Sequence, residues 1–377
     1  MKARICAALL LLVAGLSGCL KGKNNFLYVT GQGTNEVFGF TLHADGSLTP
    51  LGTPNFAAGS QPSSMAVHPP GDFFYIANFG GNALTLLNIN TGNGELTVPP
   101  VNSALPPLTP PNIFNTGTGP LAVVVSPTAP RVYALNQISG NISAFLLDPG
   151  NGNLALITNP PQGSPNPLPA YGSFTAPTSM AISPKGNFLY VASPTQGQVF
   201  GFAVNNSDGS LAPVAGSPFA VGGTGGTPSW VTIDPSGRFL YVTDSAHNAV
   251  LGFSIGSDGV IAPISGSPFA VGANPTSMTT DPGGALLFVS NTGDNTVSTF
   301  VIDAGTGALG AVSGSPFAVP GRAPGFLLSN GNFLYVAEQA TNDIAIFSIG
   351  SNGVLAPAKT PTIGVAVSPQ WISAASE

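Results

Sequence analysis

Charged side chains make up only 6% of the 377 residues, so the position of each one carries information. Six ionisable groups fall between positions 244 and 343: Asp244, His247, Asp294, Arg322, Glu338 and Asp343. Such groups can do acid–base work. A carboxylate, or a His oriented by an Asp, takes up a proton, and an Arg holds an anion. By contrast, Asp45, Asp148, Asp208, Asp258 and Asp303 stand in Gly-containing turn sequences. Asp favours turns because its short side chain bonds nearby backbone. Asp72, Lys185, Asp234, Arg238 and Asp281 read as turn residues too, and His43 and His68 fall on the side opposite the six. No His/Cys cluster has zinc spacing, no Gly-rich loop ends in Gly-Lys, and the Asp-Gly turns lack the regular acidic ligands of a calcium loop. No metal and no cofactor is therefore expected.

Those residues must be positioned by a repeat. Seven segments align: Phe26-Leu27-Tyr28-Val29, Phe73-Phe74-Tyr75-Ile76, Arg131-Val132-Tyr133-Ala134, Phe188-Leu189-Tyr190-Val191, Phe239-Leu240-Tyr241-Val242, Leu286-Leu287-Phe288-Val289 and Phe333-Leu334-Tyr335-Val336. Their aromatic positions are 47, 58, 57, 51, 47 and 47 residues apart. In the fourth unit the pattern predicts strands over Ser179–Ile182, Phe188–Ala192, Gln198–Val204 and Ser210–Pro213, separated by turns rich in Gly, Asn and Asp. Units of this length built from four short strands predict an all-β, seven-bladed propeller, one blade per unit. A recurrent Gly-Ser-Pro-Phe-Ala-Val at 216, 266 and 314 suits an outer strand, where Pro's missing N–H costs little. Trp230 and Trp371 suit core positions on first strands better than ligand platforms.

The first unit begins with its second strand. The C-terminal Ser368-Pro369-Gln370-Trp371-Ile372-Ser373 resembles the first strand Pro228-Ser229-Trp230-Val231-Thr232. The last strand is therefore expected to complete the first blade, which removes the ring's free edge. Two Pro-rich connections, Leu96 to Gly119 and Ile157 to Pro177, are expected to be loops of the kind that line or cover a binding face. The loops after second strands and those entering first strands share one face. At the end of the second strands stand Gly31, Asn78, Asn136, Ser193, Asp244, Asn291 and Glu338. The plain reading of the Asn and Ser residues is turn capping, while Glu338 is a poor turn former.

With 49 Gly and 37 Pro the chain is rich in turn formers, but 43% hydrophobic residues suffice for a large core. Only nine Lys and Arg are present, four of them before residue 24. Nucleic-acid binding needs a basic stripe and is excluded. Lys2 and Arg4, then an apolar run from Ile5 to Leu16, read as an export signal, too short to span a bilayer. Leu16-Ser17-Gly18-Cys19 resembles the lipobox of bacterial lipoproteins, which implies cleavage before Cys19 and lipidation of its thiol. The expected organisation is a signal over 1–18, a tether over 19–25 and one propeller over 26–377. The expected protein is a monomer anchored in the cell envelope through the lipid on Cys19. Its mature form would have no disulfide, because Cys6 lies in the signal.

The runs Tyr241-Val242-Thr243-Asp244, Tyr190-Val191-Ala192, Tyr335-Val336-Ala337 and Phe288-Val289-Ser290-Asn291 resemble YVTN-type propellers. The run Asp234 to Val242 is similar to the lactonase family of seven-bladed propellers, which includes 6-phosphogluconolactonases. That resemblance implies lactone opening in the funnel of one face. A hydrolase needs a base and a donor for the developing oxyanion. Glu338, or His247 oriented by Asp244, fits the base. Arg322 fits the holder of a carboxylate or the oxyanion, and Asn78, Asn136, Ser193 and Asn291 fit substrate-binding positions. One Arg and one His make a weak cationic set, which disfavours a phosphorylated sugar. The alternative is a non-catalytic propeller that binds a protein or glycan partner, suited by the neutral Gly, Ser, Thr, Asn and Pro surface.

Overall fold

The computed structural model describes residues 25–69, 71–99, 112–157, 170–365 and 368–376. It contains seven antiparallel sheets of four strands each, counted from the axis outward, with the outer strand split in two in blades 2 to 6. Blade 5 is typical. Its inner strand is Pro228–Ile233, its second Phe239–Asp244, its third Ala249–Ile255, and its outer strand is split into Ile261–Pro263 and Phe269–Ala270. The fourth unit matches its expected strands within a residue or two. Residues 239 to 244 are buried throughout, because a second strand is covered on both faces by neighbouring blades. The core is accordingly a series of layers between blades. One holds Phe188 and Tyr190 of blade 4 against Val231, Leu240 and Val242 of blade 5.

The ring closes as the sequence implies. Pro369–Ser376 is the inner strand of blade 1 and pairs antiparallel with Asn25–Gly31, Tyr28 opposite Ser373 and Asn25 opposite Ser376. The described ends of the two Pro-rich connections are strand rather than loop. The chain leaves the ring between Leu96–Thr97 and Ile113–Asn115, and between Leu154–Leu156 and Ala170–Tyr171. These pairs are the two halves of outer strands, so both insertions are anchored at the ring's periphery. Their middles, 100–111 and 158–169, lie outside the described residues, as do the expected signal and Cys19.

The repeat does more than pack. In six of the seven units the Tyr hydroxyl donates to a turn carbonyl of the next blade: Tyr28 to Gly94, Tyr75 to Gly152, Tyr133 to Gly209, Tyr190 to Gly259, Tyr241 to Gly307 and Tyr335 to Gly46, at 2.6–3.0 Å. Each of these glycines has positive φ, and a Cβ on it would collide with the first residue of the donor's motif, for example Phe239 against Gly307. The packed side chain, Phe in five of the six and Arg131 against Gly209, therefore requires a glycine there. Blade 6 carries Phe288 and has no hydroxyl for Gly353. Burial pushes the six tyrosine hydroxyls above their ordinary range, which keeps them protonated as donors.

A second set of ties holds the other face, where the second-to-third-strand hairpins lie. Asn35, Asn82, Asn248, Asn295 and Asn342 all have positive φ, which Asn tolerates better than other non-glycine residues. Each accepts, through Oδ1, the N–H of a residue entering the next blade: Gln61, Gly119, Asn274, Ala323 and Ser368, at 2.7–2.9 Å. This face is called the funnel face below.

Candidate functional site

Inner strands begin with a shared pattern, Pro followed by two residues and then Met, Val, Leu or Ile. Just after the Pro the pairing slips. Pro228 faces Asp244 but Trp230 faces Thr243, and Pro275 faces Asn291 but Ser277 faces Ser290. The same irregularity recurs in blades 1, 2, 3 and 7. A bulge adds a residue to one strand and breaks the strict alternation of faces. Two successive side chains can then face the axis, as Thr276 and Ser277 do, and Gln370 and Trp371.

They enclose a cavity of about 250 Å³ to which all seven blades contribute. Trp230, Phe326 and Trp371 form its aromatic wall. Phe326 stacks on Trp371 with centroids 4.0 Å apart, and Trp230 lies 5.7 Å from Phe326 and 5.6 Å from Trp371. The two tryptophans, expected in the core, are partly buried and line this space. Ser63, Thr178, Thr276, Ser277, Thr292, Gln339 and Gln370 supply its polar groups. Gln339 Nε2 donates to Gln370 Oε1 at 3.2 Å, and Gln370 Nε2 to Ser368 Oγ at 2.8 Å. Ser277 is buried, and its hydroxyl has no hydrogen-bond partner. Among the described residues, no lining side chain is ionisable.

The residues picked from the sequence lie beside this cavity rather than in its wall. Asn78 Nδ2 donates to Thr85, Asn136 Nδ2 to Asn141 and Ser143, and Asn291 Nδ2 to Thr296 and Ser298. Ser193 Oγ bonds Thr175 O and Gln196. All four thus tie their own hairpins or the loop entering their blade. The reason is strand alternation: successive residues point to opposite sides. Asn291 and Glu338 turn into the blade, and their successors Thr292 and Gln339 reach the cavity. Thr292, Gln339 and Ser277 were missed by a search for charge. Their signal was position, one residue after the ring of polar strand ends or two after the conserved-in-repeat Pro.

The charged candidates are spread over blades 5, 6 and 7. In blade 5, Asp244 Oδ1 accepts the N–H of Thr227 at 3.0 Å and Oδ2 meets His247 Nδ1 at 2.7 Å. Asp244 is buried, while 47% of the His247 side chain is exposed. The bond assigns the neutral ring's proton to Nδ1 and leaves Nε2 as an acceptor at the surface. In blade 7, Glu338 is fully buried, and its Oε1 accepts the Gly321 N–H at 2.7 Å. Oε2 is buried with no protein donor, close to Asp343. A proton on Oε2 directed at the Asp343 carboxylate satisfies both groups. Burial, together with Asp343, pushes the Glu338 carboxyl up to about 8, against the pull of the Gly321 amide. Arg322 is exposed on the loop that enters blade 7. Asp294 Oδ2 accepts the Ala273 N–H in blade 6. Among the described residues, no three His, Cys, Asp or Glu side chains come together as metal ligands.

The architecture defines a seven-bladed β-propeller with an aromatic-walled axial cavity. The family model described as "Lactonase, 7-bladed beta-propeller" matches residues 19–225 and 175–324, and the chain belongs to that family. A 6-phosphogluconolactonase of Formosa agariphila is 32% identical over 139 residues, 36% of each chain. Its counterpart in Bacillus subtilis is 24% identical over 189 residues, 50% of each. The chain thus matches between a third and a half of these relatives' length. Among solved structures, a periplasmic gluconolactonase of Pseudomonas aeruginosa superposes with a TM-score of 0.75 at 19% identity, covering 94% of this chain and 99% of the other. A 6-phosphogluconolactonase-like protein of Bacteroides fragilis gives 0.74 at 21% identity, covering 95% and 99%. At these identities the structural likeness speaks for the fold.

Proposed function

We propose that the protein opens a sugar-type lactone on the funnel face, with the axial cavity receiving the ring. The observation that carries this is the cavity itself, in which stacked aromatics face hydroxyl and amide groups. Membership of the lactonase family and the names of its relatives support it. The Asp244–His247 pair supplies the base. His247 Nε2 takes a proton from water as the water oxygen adds to the lactone carbonyl. The ring oxygen then leaves and takes up a proton, giving the open hydroxy acid. Buried Asp244 holds the imidazole in the required tautomer. Arg322, exposed on the loop that enters blade 7, holds the oxyanion or the product carboxylate. Glu338 is protonated near neutrality and enclosed, which fits a support for the blade 7 loop better than a base.

The test is hydrolysis of glucono- and galactono-lactones against the rate in buffer. His247→Ala should lower kcat by roughly a hundredfold or more. Purified protein no faster than buffer on these lactones removes the reading for them. The absence of an ionisable group in the cavity wall favours a second reading, a non-catalytic sugar-binding or partner-binding propeller, and that result would favour it further. We also propose that Cys19 carries the lipid that holds the protein at the envelope. Cys19→Ala should release it from the membrane fraction.

A further inference from the structure

We infer that the glycine-rich loop over 222–226, which leads into blade 5, is a hinged flap that closes over His247 when the funnel face is occupied. The inference rests on the proposed role of His247 and adds a moving part to it. The loop differs from its neighbours in length. Seven residues, 221–227, join the outer strand of blade 4 to the inner strand of blade 5, whereas four, 271–274, lead into blade 6 and five, 319–323, into blade 7. Four of the seven are glycines, and Gly222, Gly223 and Gly225 have positive φ. Gly223, Thr224 and Gly225 are exposed, and a Cβ on Gly223 or Gly225 would meet nothing within 4 Å.

Its hydrogen bonds differ more sharply. Every backbone N–H of the loop entering blade 6 is held: Val271 by Asn248 O, Gly272 by Ser298, Ala273 by Asp294 and Asn274 by Asn248 Oδ1. In the loop entering blade 7, Val319, Gly321, Arg322 and Ala323 are held by Asn295 O, Glu338, Thr341 and Asn295 Oδ1. In the loop entering blade 5, the N–H groups of Gly222, Gly223, Thr224 and Gly225 donate to no described protein group. The missing tie has a cause in the sequence. Asn248 and Asn295 stand at the hairpin position that reaches the next blade, and blade 4 has Gly197 there, with φ 63°. Gly197 offers its carbonyl to Val221 and has no side chain to hold the rest. Segments with exposed, unpaired backbone groups and few contacts open first.

The loop is pinched at its base. Gly226 donates to Gly223 O at 3.4 Å, and a Cβ on Gly226 would stand 2.8 Å from Gly222 Cα. Just outside the pinch, Val221 N–H is held by Gly197 O at 3.2 Å and Thr227 N–H by Asp244 Oδ1 at 3.0 Å. Gly222 and Gly226 are therefore the hinges, and the span between them swings while its stems stay fixed. One stem lies against the acid–base pair. A Cβ on Gly222 would collide with Asp244 Oδ2, the oxygen that meets His247 Nδ1. A single carboxylate thus anchors the flap and orients the imidazole. The His247 side chain beside it is 47% exposed. Closure shields that ring from bulk water and retains the substrate while it reacts.

Hydrogen exchange of the full chain, followed by mass spectrometry, reads the flap directly. In the free protein the amides of 222–225 should exchange at least about tenfold faster than those of 271–274, and equal rates overturn the inference. Excess D-gluconolactam, a ring lactam in place of the lactone, should slow 222–225 about tenfold while 271–274 stay unchanged. Exchange of 222–225 that ignores the lactam overturns the inference as well. Gly197→Asn repeats the tie used by blades 5 and 6, at a backbone conformation that Asn accepts and where a Cβ meets only Gly226 O, at 3.2 Å. It should slow the free-state exchange of 222–225 about five- to tenfold, with Tm unchanged or higher. On gluconolactone it should lower kcat about tenfold with the pH profile unmoved, because Asp244 and His247 keep their bond. Slowed exchange with unchanged kcat would make the loop merely structural and overturn its gating role. If lactones are hydrolysed no faster than in buffer, the hydrolase reading falls, and the exchange response to gluconolactam still decides for or against the flap.

Discussion

Replacing Glu338 by Gln should flatten the pH dependence of stability above neutrality. Glu338 is fully buried, with one oxygen on the Gly321 N–H and the other against Asp343. Its carboxyl is pushed from the ordinary 4.5 to about 8. The folded chain therefore keeps a proton that the unfolded chain has released above pH 4.5. Stability then falls as pH rises between these values and levels off above about 8. Each unit of the interval corresponds to about 1.4 kcal/mol, so the two units from pH 6 to pH 8 amount to roughly 3 kcal/mol. A Gln keeps an acceptor for Gly321 and offers Asp343 an N–H, with no proton to lose. Denaturant titrations at pH 6 and pH 9 measure the effect. Near pH 6 the two proteins should be of similar stability. Near pH 9 the variant should be the more stable by about 1–3 kcal/mol, allowing for solvent reaching the pair through its exposed edge. Parallel curves from pH 6 to pH 9 would refute a protonated Glu338 and the proton placed between it and Asp343.

Phe288→Tyr should place a hydroxyl near Gly353 O and raise stability by about 1 kcal/mol in thermal or chemical melts. Gly307→Ala should cost about 2–4 kcal/mol, because its Cβ meets the Phe239 ring and φ is positive, whereas Gly225→Ala, with open space around it, should cost about 1 kcal/mol. Deleting Pro369 to Glu377 should destabilise the ring by several kcal/mol, since buried Ile372 leaves the core and Asn25–Gly31 loses its partner. A Tm for the truncated chain within a degree or two of the full one would contradict the closure.

The fold was legible because its signal is repeated. Seven copies of one motif and the likeness of Pro369–Ile372 to Pro228–Val231 placed every blade and the closing strand. The latch between Tyr241 and Gly307 was not legible, because motif and turn lie 66 residues apart and each looks like ordinary packing. The periphery misled for a local reason. A Pro-rich insertion looks alike whether it interrupts an outer strand or bridges two blades. At the site, charge drew attention to Asp244 and Glu338, which strand alternation turns into the hairpins. The bulge after Pro275, which brings Thr276 and Ser277 to the axis together, is marked in the sequence by the recurrent Pro alone.

The closing strand leaves the ends of the propeller side by side, with Asn25 paired to Ser376. Nothing in the ladder of tyrosine and asparagine ties distinguishes a first blade from a last one, and the Tyr335–Gly46 bond spans the junction as the others span theirs. The ring is in this sense a cycle cut once. A short linker joining the two ends, with a new opening in any loop between blades, would keep every one of those ties. Circular permutation could therefore carry the chain termini to the funnel mouth or away from it while the axial cavity stays whole.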